Sequence, residues 1–435
     1  MPNSNEGFPR RLVVCLDGTW NSSFSEKKRR DKDERGERTI LKPTNTLKTC
    51  RAVRPRAADG RMQICYYDIG VGALADYPGA ANRLLYTFDR LLGGVWGAGY
   101  EGNVEDALHF LAVNYEKGNE NRDPDEIFIF GFSRGAAEAR AVTQFLDWSG
   151  GLPEKDDAYY LPILFRAYVK GHGDTNERVK AFDVINANRA KEHPPRGPLN
   201  LQPVRVRYLG VWDTVLALGS RFKKETYSIT GGHRSFYTGA TPAACVNRAR
   251  QALAVDEHRY DFRPEVWEGC LPNQKMEQRW FCGVHSNVGG GYGRDALANL
   301  TLRWILEGAH EEKLDLKDDY LAYFFDDGRC GSFGSLYNSS TLGFRIGDAI
   351  RRADGRRKLV GLPEGTKAEI DPSVFERMNR SETDLRNGAD AGAITTPYRP
   401  ENVIEFLAAH PNWRNYLRDM GAPMVPADVE ARLPP

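Results

Sequence analysis

Apolar residues first gather at Arg11 to Leu16 (RLVVCL), a run stopped by Asp17-Gly18, which predicts a buried strand ending in a turn. Met62 to Tyr67 (MQICYY) predicts a second strand. Val104, Ala107, Leu108, Leu111, Ala112 and Tyr115 then recur at the spacing of one apolar helix face. Glu126 to Phe130 (EIFIF), bounded by Asp123-Pro124 and Gly131, has the continuous apolar character of a parallel strand buried on both faces. The Ala-rich stretch from Arg134 to Trp148 predicts a helix behind it. Val204 to Trp212 sets Val, Val and Tyr against Arg before turning apolar into Asp213, the mark of another strand. The pattern further predicts a helix over Thr241 to Val255, a strand over Gln278 to Val284, and a helix over Asp295 to Gly308 with Leu297, Leu300, Trp304 and Ile305 on one side. Strands alternating with helices imply an α/β fold, a mostly parallel sheet with helices on both faces.

Between these elements lie polar segments. Ser25 to Arg38 is almost wholly charged with both signs mixed, so it reads as a solvated loop. Gly70 to Tyr100 is Gly-rich without clean periodicity, and Gly150 to Pro203 is rich in Gly, Pro and charge. We therefore read residues 1–310 as one catalytic domain with insertions near 22–60 and 150–203. Residues 311–435 read as a C-terminal extension packed on it, polar, with scattered prolines and one helix-like segment, Glu401 to Leu417. No repeat of solenoid period occurs.

Charge narrows the function classes. Among 435 residues, 60 Lys and Arg against 59 Asp and Glu leave a formal charge of +1, without the cationic excess by which nucleic-acid binders displace counterions. Nucleic acid is therefore not an expected partner. The seven cysteines (15, 50, 65, 245, 270, 282 and 330) are scattered and contain no C-x-x-C pair, so they read as small buried hydrophobes, and neither metal nor cofactor is expected. Met1 to Arg11 lacks a signal-peptide apolar segment and no run approaches a membrane span, so the expectation is a cytoplasmic protein open only to signal-independent export.

The chemistry concentrates at Gly131-Phe132-Ser133-Arg134-Gly135, a GxSxG pentapeptide between the EIFIF strand and the Ala-rich helix. That context exposes a serine hydroxyl above the sheet. Such a hydroxyl needs a base to take its proton and an acid to orient the base. Asp213 ends the Val204 to Trp212 strand and His285 ends the Gln278 to Val284 strand, so both fall where open α/β sheets build their sites. His233 and His258 remain alternatives for the base, reaching in from loops; His109, His172, His193, His310 and His410 lie in helical, polar or terminal contexts. Gly289-Gly290-Gly291 fits either close backbone approach to a substrate or a turn before the next helix.

With LVVCLDGTWN (Leu12 to Asn21), GFSRGAAEAR (Gly131 to Arg140), GVWDTV (Gly210 to Val215) and GVHSNVGGGY (Gly283 to Tyr292), the chain resembles the phospholipase-like family of type VI secretion lipase effectors over roughly Arg11 to Ala309. The resemblance implies an α/β-hydrolase fold and esterase chemistry on lipid, with nucleophile Ser133, acid Asp213 and base His285. It departs at Asn287, where family members often carry Asp, and at Gln251-Ala252, where they often carry His-Ala. For the oxyanion we expect the N–H of Arg134 and a second donor from Gly18 or Thr19, with the Arg134 side chain either pairing a lipid phosphate or facing solvent. Leu74 to Trp96 is the best candidate for a lid or transient membrane contact, with core packing as the commoner reading of such residues. Two rivals stand beside this reading. One is a catalytically silent hydrolase fold serving as an interaction module. The other is a haloacid-dehalogenase-like phosphatase built on Leu16-Asp17-Gly18-Thr19, in which Cys15 occupies the place of the nucleophilic aspartate.

Overall fold

A computed structural model describes residues 8–18, 43–70, 95–216, 238–259, 262–326, 328–338, 356–360, 364–386 and 393–434. The Ser25 to Arg38 segment, Thr19 and His233 lie outside them, as does Leu74 to Trp96 apart from its last two residues.

Seven strands form the main sheet: β1 (Arg11–Leu16), β2 (Gln63–Asp68), β3 (Glu126–Phe132), β4 (Val206–Trp212), β5 (Val246–Ala254), β6 (Lys275–Phe281) and β7 (Ala368–Ile370). Their order is β7-β6-β5-β4-β3-β1-β2, every neighbouring pair parallel. Period-two alternation divides each inner strand between two cores. Leu12, Val14 and Leu16 of β1 and Ile127 and Ile129 of β3 enter one; Val13 and Cys15, with Phe128, Phe130 and Phe132, enter the other. Helices α2 (Val95–Asn114) and α3 (Arg134–Ser149) cover the first face, while α1 (Asn45–Ala52) and α7 (Ala296–Glu311) cover the second. This is an α/β-hydrolase-like arrangement with extensions.

The chain leaves β1 toward β2 on one side and returns to β3 on the other, so the crevice between β1 and β3 is the topological switch point.

The segment Gly150 to Pro203 folds into α4 (Leu161–Lys170) and α5 (Thr175–Arg189). Leu161, Leu164, Phe165 and Tyr168 make one buried face of α4, a helical stripe within polar flanks.

Two sequence expectations are corrected. Thr241 to Val255 is no helix, because Val246–Ala254 is strand β5, paired between β4 and β6. Its alanines and arginines favour a helix only in isolation; here Arg248 and Arg250 share a face and both bind Glu277 of β6, at 2.9 Å each. Glu401 to Leu417 is two helices, α9 (Glu401–Ala408) and α10 (Trp413–Asp419), with Pro411 between them unable to donate to a continuous helix.

The C-terminal third contributes β7 and α8 (Pro372–Met378) and shares a core with the sheet, in which Leu253, Trp280 and Leu297 pack with Ile370, Phe375 and Trp413.

Candidate active site

Ser133 follows β3 and opens α3 with φ 61° and ψ −121°, a strained conformation for a residue with a side chain. The flanking glycines make the turn possible. A Cβ on Gly131 would stand 2.3 Å from the Gly135 carbonyl oxygen, and one on Gly135 would stand 2.2 Å from that of Leu16. Helix α3 thus lies against the end of β1, and the serine N–H donates to Trp212 O on β4 at 3.0 Å.

Asp213 also has a positive φ, 45°, directly after β4. His285 opens the short helix α6 (His285–Gly289), four residues beyond the end of β6. The three side chains meet. His285 Nε2 is 2.8 Å from Ser133 Oγ, and its Nδ1 is 2.6 Å from Asp213 Oδ2. Asp213 is fully buried and the serine and histidine nearly so. The imidazole packs between the rings of Phe132 and Phe262, with centroids 4.6 and 5.0 Å away. A Cβ on Gly289 would sit 1.9 Å from the Phe132 ring, so the first glycine of the triplet lets α6 lie on that ring, while Gly290 and Gly291 (φ 87° and 104°) turn the chain out of it.

Burial drives the His285 imidazole below its ordinary pKa, and Asp213 only partly reverses this, so the ring is neutral at neutral pH. Burial alone would raise Asp213; the Arg357 guanidinium, then His285, outweigh it and hold the carboxyl well below the usual carboxylate range. Arg357 binds both oxygens, Nη1 to Oδ1 at 2.5 Å and Nη2 to Oδ2 at 2.9 Å, and also donates to Ala254 O and Phe262 O. The Ala254 N–H donates to Oδ1 at 2.9 Å. Arg357 was not foreseen; it sits in the charged stretch RRADGRRKLV, where neither spacing nor motif distinguishes it. Glu257 is a further unforeseen neighbour, accepting from the His285 N–H at 3.3 Å. Burial would raise its carboxyl, but Arg259 pulls it down to about 2.

The positions that depart from the resemblance are satisfied by amides. Asn287 donates to Ser335 O at 3.1 Å and accepts from the N–H groups of Val284 and Tyr337, tying α6 to the C-terminal third. Gln251 accepts from the Thr214 hydroxyl beside Asp213 and donates to Glu265 O and Gln278 Oε1.

The other predicted residues divide. The N–H of Arg134 lies at the start of α3, where helix amides point outward along the axis. Its side chain does not face solvent as one expectation had it: it is buried, lowered to about 10 by that burial, and lies near the Glu138 carboxyl one turn on, which burial raises to about 8. Gly18 does not leave its N–H toward an oxyanion, because the Asp17 carboxylate accepts it at 2.8 Å. That carboxylate also accepts from the Thr44 and Tyr67 hydroxyls at 2.5 and 2.7 Å, and burial pushes its pKa up to about 7. Asp17 is therefore engaged in shaping the turn after β1. His258 is exposed.

A parallel sheet with this order, carrying its polar cluster at the carboxyl ends of β3, β4 and β6, defines a protein of the α/β-hydrolase class. More particularly, the chain belongs to the family of type VI secretion (T6SS) phospholipase effectors, Tle1-like, catalytic domain, whose profile matches residues 10–308. The chain is also 24% identical over 221 residues to the uncharacterized protein YEL023C of Saccharomyces cerevisiae, covering 50% of this chain and 28% of that protein, so it spans less than a third of that relative's length. Among solved structures it is similar to an uncharacterized protein from Pseudomonas aeruginosa (TM-score 0.42, 15% identity, 98% of this chain and 61% of the other). It is similar as well to the Tle1 effector bound to the VgrG spike from the type VI secretion system (TM-score 0.40, 14% identity, 83% and 84%).

Proposed function

We propose that the protein is a serine hydrolase that cleaves carboxylic esters of phospholipids through an acyl-enzyme. The observation that carries this reading is the continuous relay from Ser133 Oγ through His285 to Asp213. His285 Nε2 takes the hydroxyl proton as Oγ attacks the ester carbonyl carbon, then returns it to the departing alcohol oxygen. A water molecule attacks the resulting acyl-serine, gives its proton to the same nitrogen, and releases the fatty acid as the proton passes back to Oγ. Asp213 accepts from Nδ1–H throughout, fixing the tautomer and stabilising the imidazolium. The helix-start N–H of Arg134 stabilises the oxyanion; losing such a donor costs about 10²- to 10³-fold in turnover.

Family membership supports phospholipid as the substrate and delivery as a type VI effector. Among the described residues no helix is long and apolar enough to cross a membrane, so contact with lipid in this reading is peripheral and transient. The test is a panel of short esters, triacylglycerols and phospholipid vesicles, assayed with the wild-type chain and Ser133→Ala. Release of fatty acid from phospholipid by the wild type alone supports the proposal. Hydrolysis of no ester by folded protein overturns it in favour of a silent interaction module.

A further inference from the structure

Three cysteines that sit far apart in the sequence meet on the α1 face of the sheet. Cys15 is on β1, Cys65 on the neighbouring β2, and Cys50 on α1. Their pairing follows from the register: Val13 lies opposite Cys65 and Cys15 opposite Tyr67, so the two strand thiols are diagonal neighbours on one face. Helix α1 lays Cys50 over them. Cys65 Sγ is 3.9 Å from Cys15 Sγ and 3.0 Å from Cys50 Sγ, and all three sulfurs lie within 4.8 Å of one another.

We propose that Cys15, Cys50 and Cys65 form a three-thiolate site for a soft monovalent metal ion of the cuprous class. Metal–sulfur bonds of about 2.3 Å hold three sulfurs in a plane about 4 Å apart. One edge of the triangle already has that length, and the short edge opens by turning the side chain of half-buried Cys50. Soft thiolates select copper(I), zinc or iron–sulfur groups. Structural zinc takes four ligands. Among the described residues no histidine, carboxylate or further thiol joins the group, which favours an ion content with three.

Charge points the same way. Three thiolates around a monovalent ion leave two negative charges, and the cations of Arg51 and Lys317 lie near Cys50 to offset them. All three thiols lose their protons to solvent as the ion binds. Because the ligands come from β1, β2 and α1, occupancy ties together three elements that also supply Asp17, Tyr67 and Thr44 to the turn after β1.

The site is independent of the ester chemistry, and its test does not read activity. The reduced full-length chain is titrated anaerobically with copper(I) against a chromogenic copper(I) chelator. The expected result is one equivalent withheld per chain, an ultraviolet thiolate-to-copper absorption, and a rise in thermal midpoint. Cys50→Ser should weaken binding at least about 100-fold and abolish the rise, while Cys270→Ser, away from the cluster, should change neither. Equal copper retention by wild type and Cys50→Ser overturns the proposal, as does no retention by the folded wild type or tighter retention of zinc. So does a Cys50–Cys65 disulfide found by non-reducing mass spectrometry in protein isolated without oxidant.

Discussion

Arg357 grips both carboxylate oxygens of Asp213 from 144 positions further along the chain. The acid of the proposed relay is thus held by a residue beyond the matched catalytic region, residues 10–308. Both partners are buried, so their attraction is little screened by water, and removing one leaves the other charge stranded.

Arg357→Ala should therefore cost about 3–5 kcal/mol of stability in a denaturant titration. Arg357→Lys should recover part of that, since an ammonium restores the charge but not the two-pronged fork. An alanine variant as stable as the wild type would show that the pair is dispensable.

The pH profile follows from His285. Its folded pKa is lowered, so the imidazole stays a neutral base to a pH below the ordinary histidine value of about 6.5, and the acid limb of kcat/KM should lie below that value. Arg259 contributes to the lowering while Glu257 opposes it. Arg259→Gln removes a cation that disfavours the imidazolium, and this outweighs the weaker pull of a Glu257 carboxyl that loses its partner. The limb should move upward. A downward move would contradict the assigned electrostatics.

Gly135→Ala tests the turn rather than the chemistry. With the new methyl placed 2.2 Å from the Leu16 carbonyl oxygen, α3 must shift away from β1. Stability should fall by about 1–3 kcal/mol, and ester hydrolysis should fall further than stability explains, because Ser133 moves relative to His285. Thermal melts read beside turnover would separate the two effects.

Asn287→Asp replaces an amide that donates to Ser335 O with a group that, when ionised, only accepts. A loss of about 1–3 kcal/mol is expected. An unchanged denaturation midpoint at neutral pH would show that the Ser335 contact contributes nothing.

Much of this architecture was readable in the sequence. The strand Arg11–Leu16 was legible because both faces are buried and its residues run apolar without a break. That Ser133, Asp213 and His285 meet was legible because each follows a strand, and strand ends are where a parallel sheet gathers side chains. Strand β5 was not. Its arginines carry a helical propensity that is overruled by pairing with β4 and β6 and by ion pairs to Glu277 and, from α7, Glu311. The buried face of α4 was hidden by polar flanks, and Arg357 by a run of like residues in which only the fold singles one out. The cysteine cluster escaped for a related reason: metal sites are recognised by local spacing, whereas these thiols converge through strand register. The engagement of the Gly18 N–H was not legible because the Asp17 side chain bends back onto it, a contact internal to the turn.

The central claim is that Ser133 is the nucleophile, and its most direct measurement is covalent labelling by a fluorophosphonate followed by peptide mass spectrometry. We expect one adduct per chain, on Ser133, absent in Ser133→Ala. Asp213→Asn should label more slowly, by about 10⁴-fold if it turns over as a wrong-tautomer relay does. An unlabelled wild type that is folded, or an adduct at another residue that survives Ser133→Ala, would contradict the account.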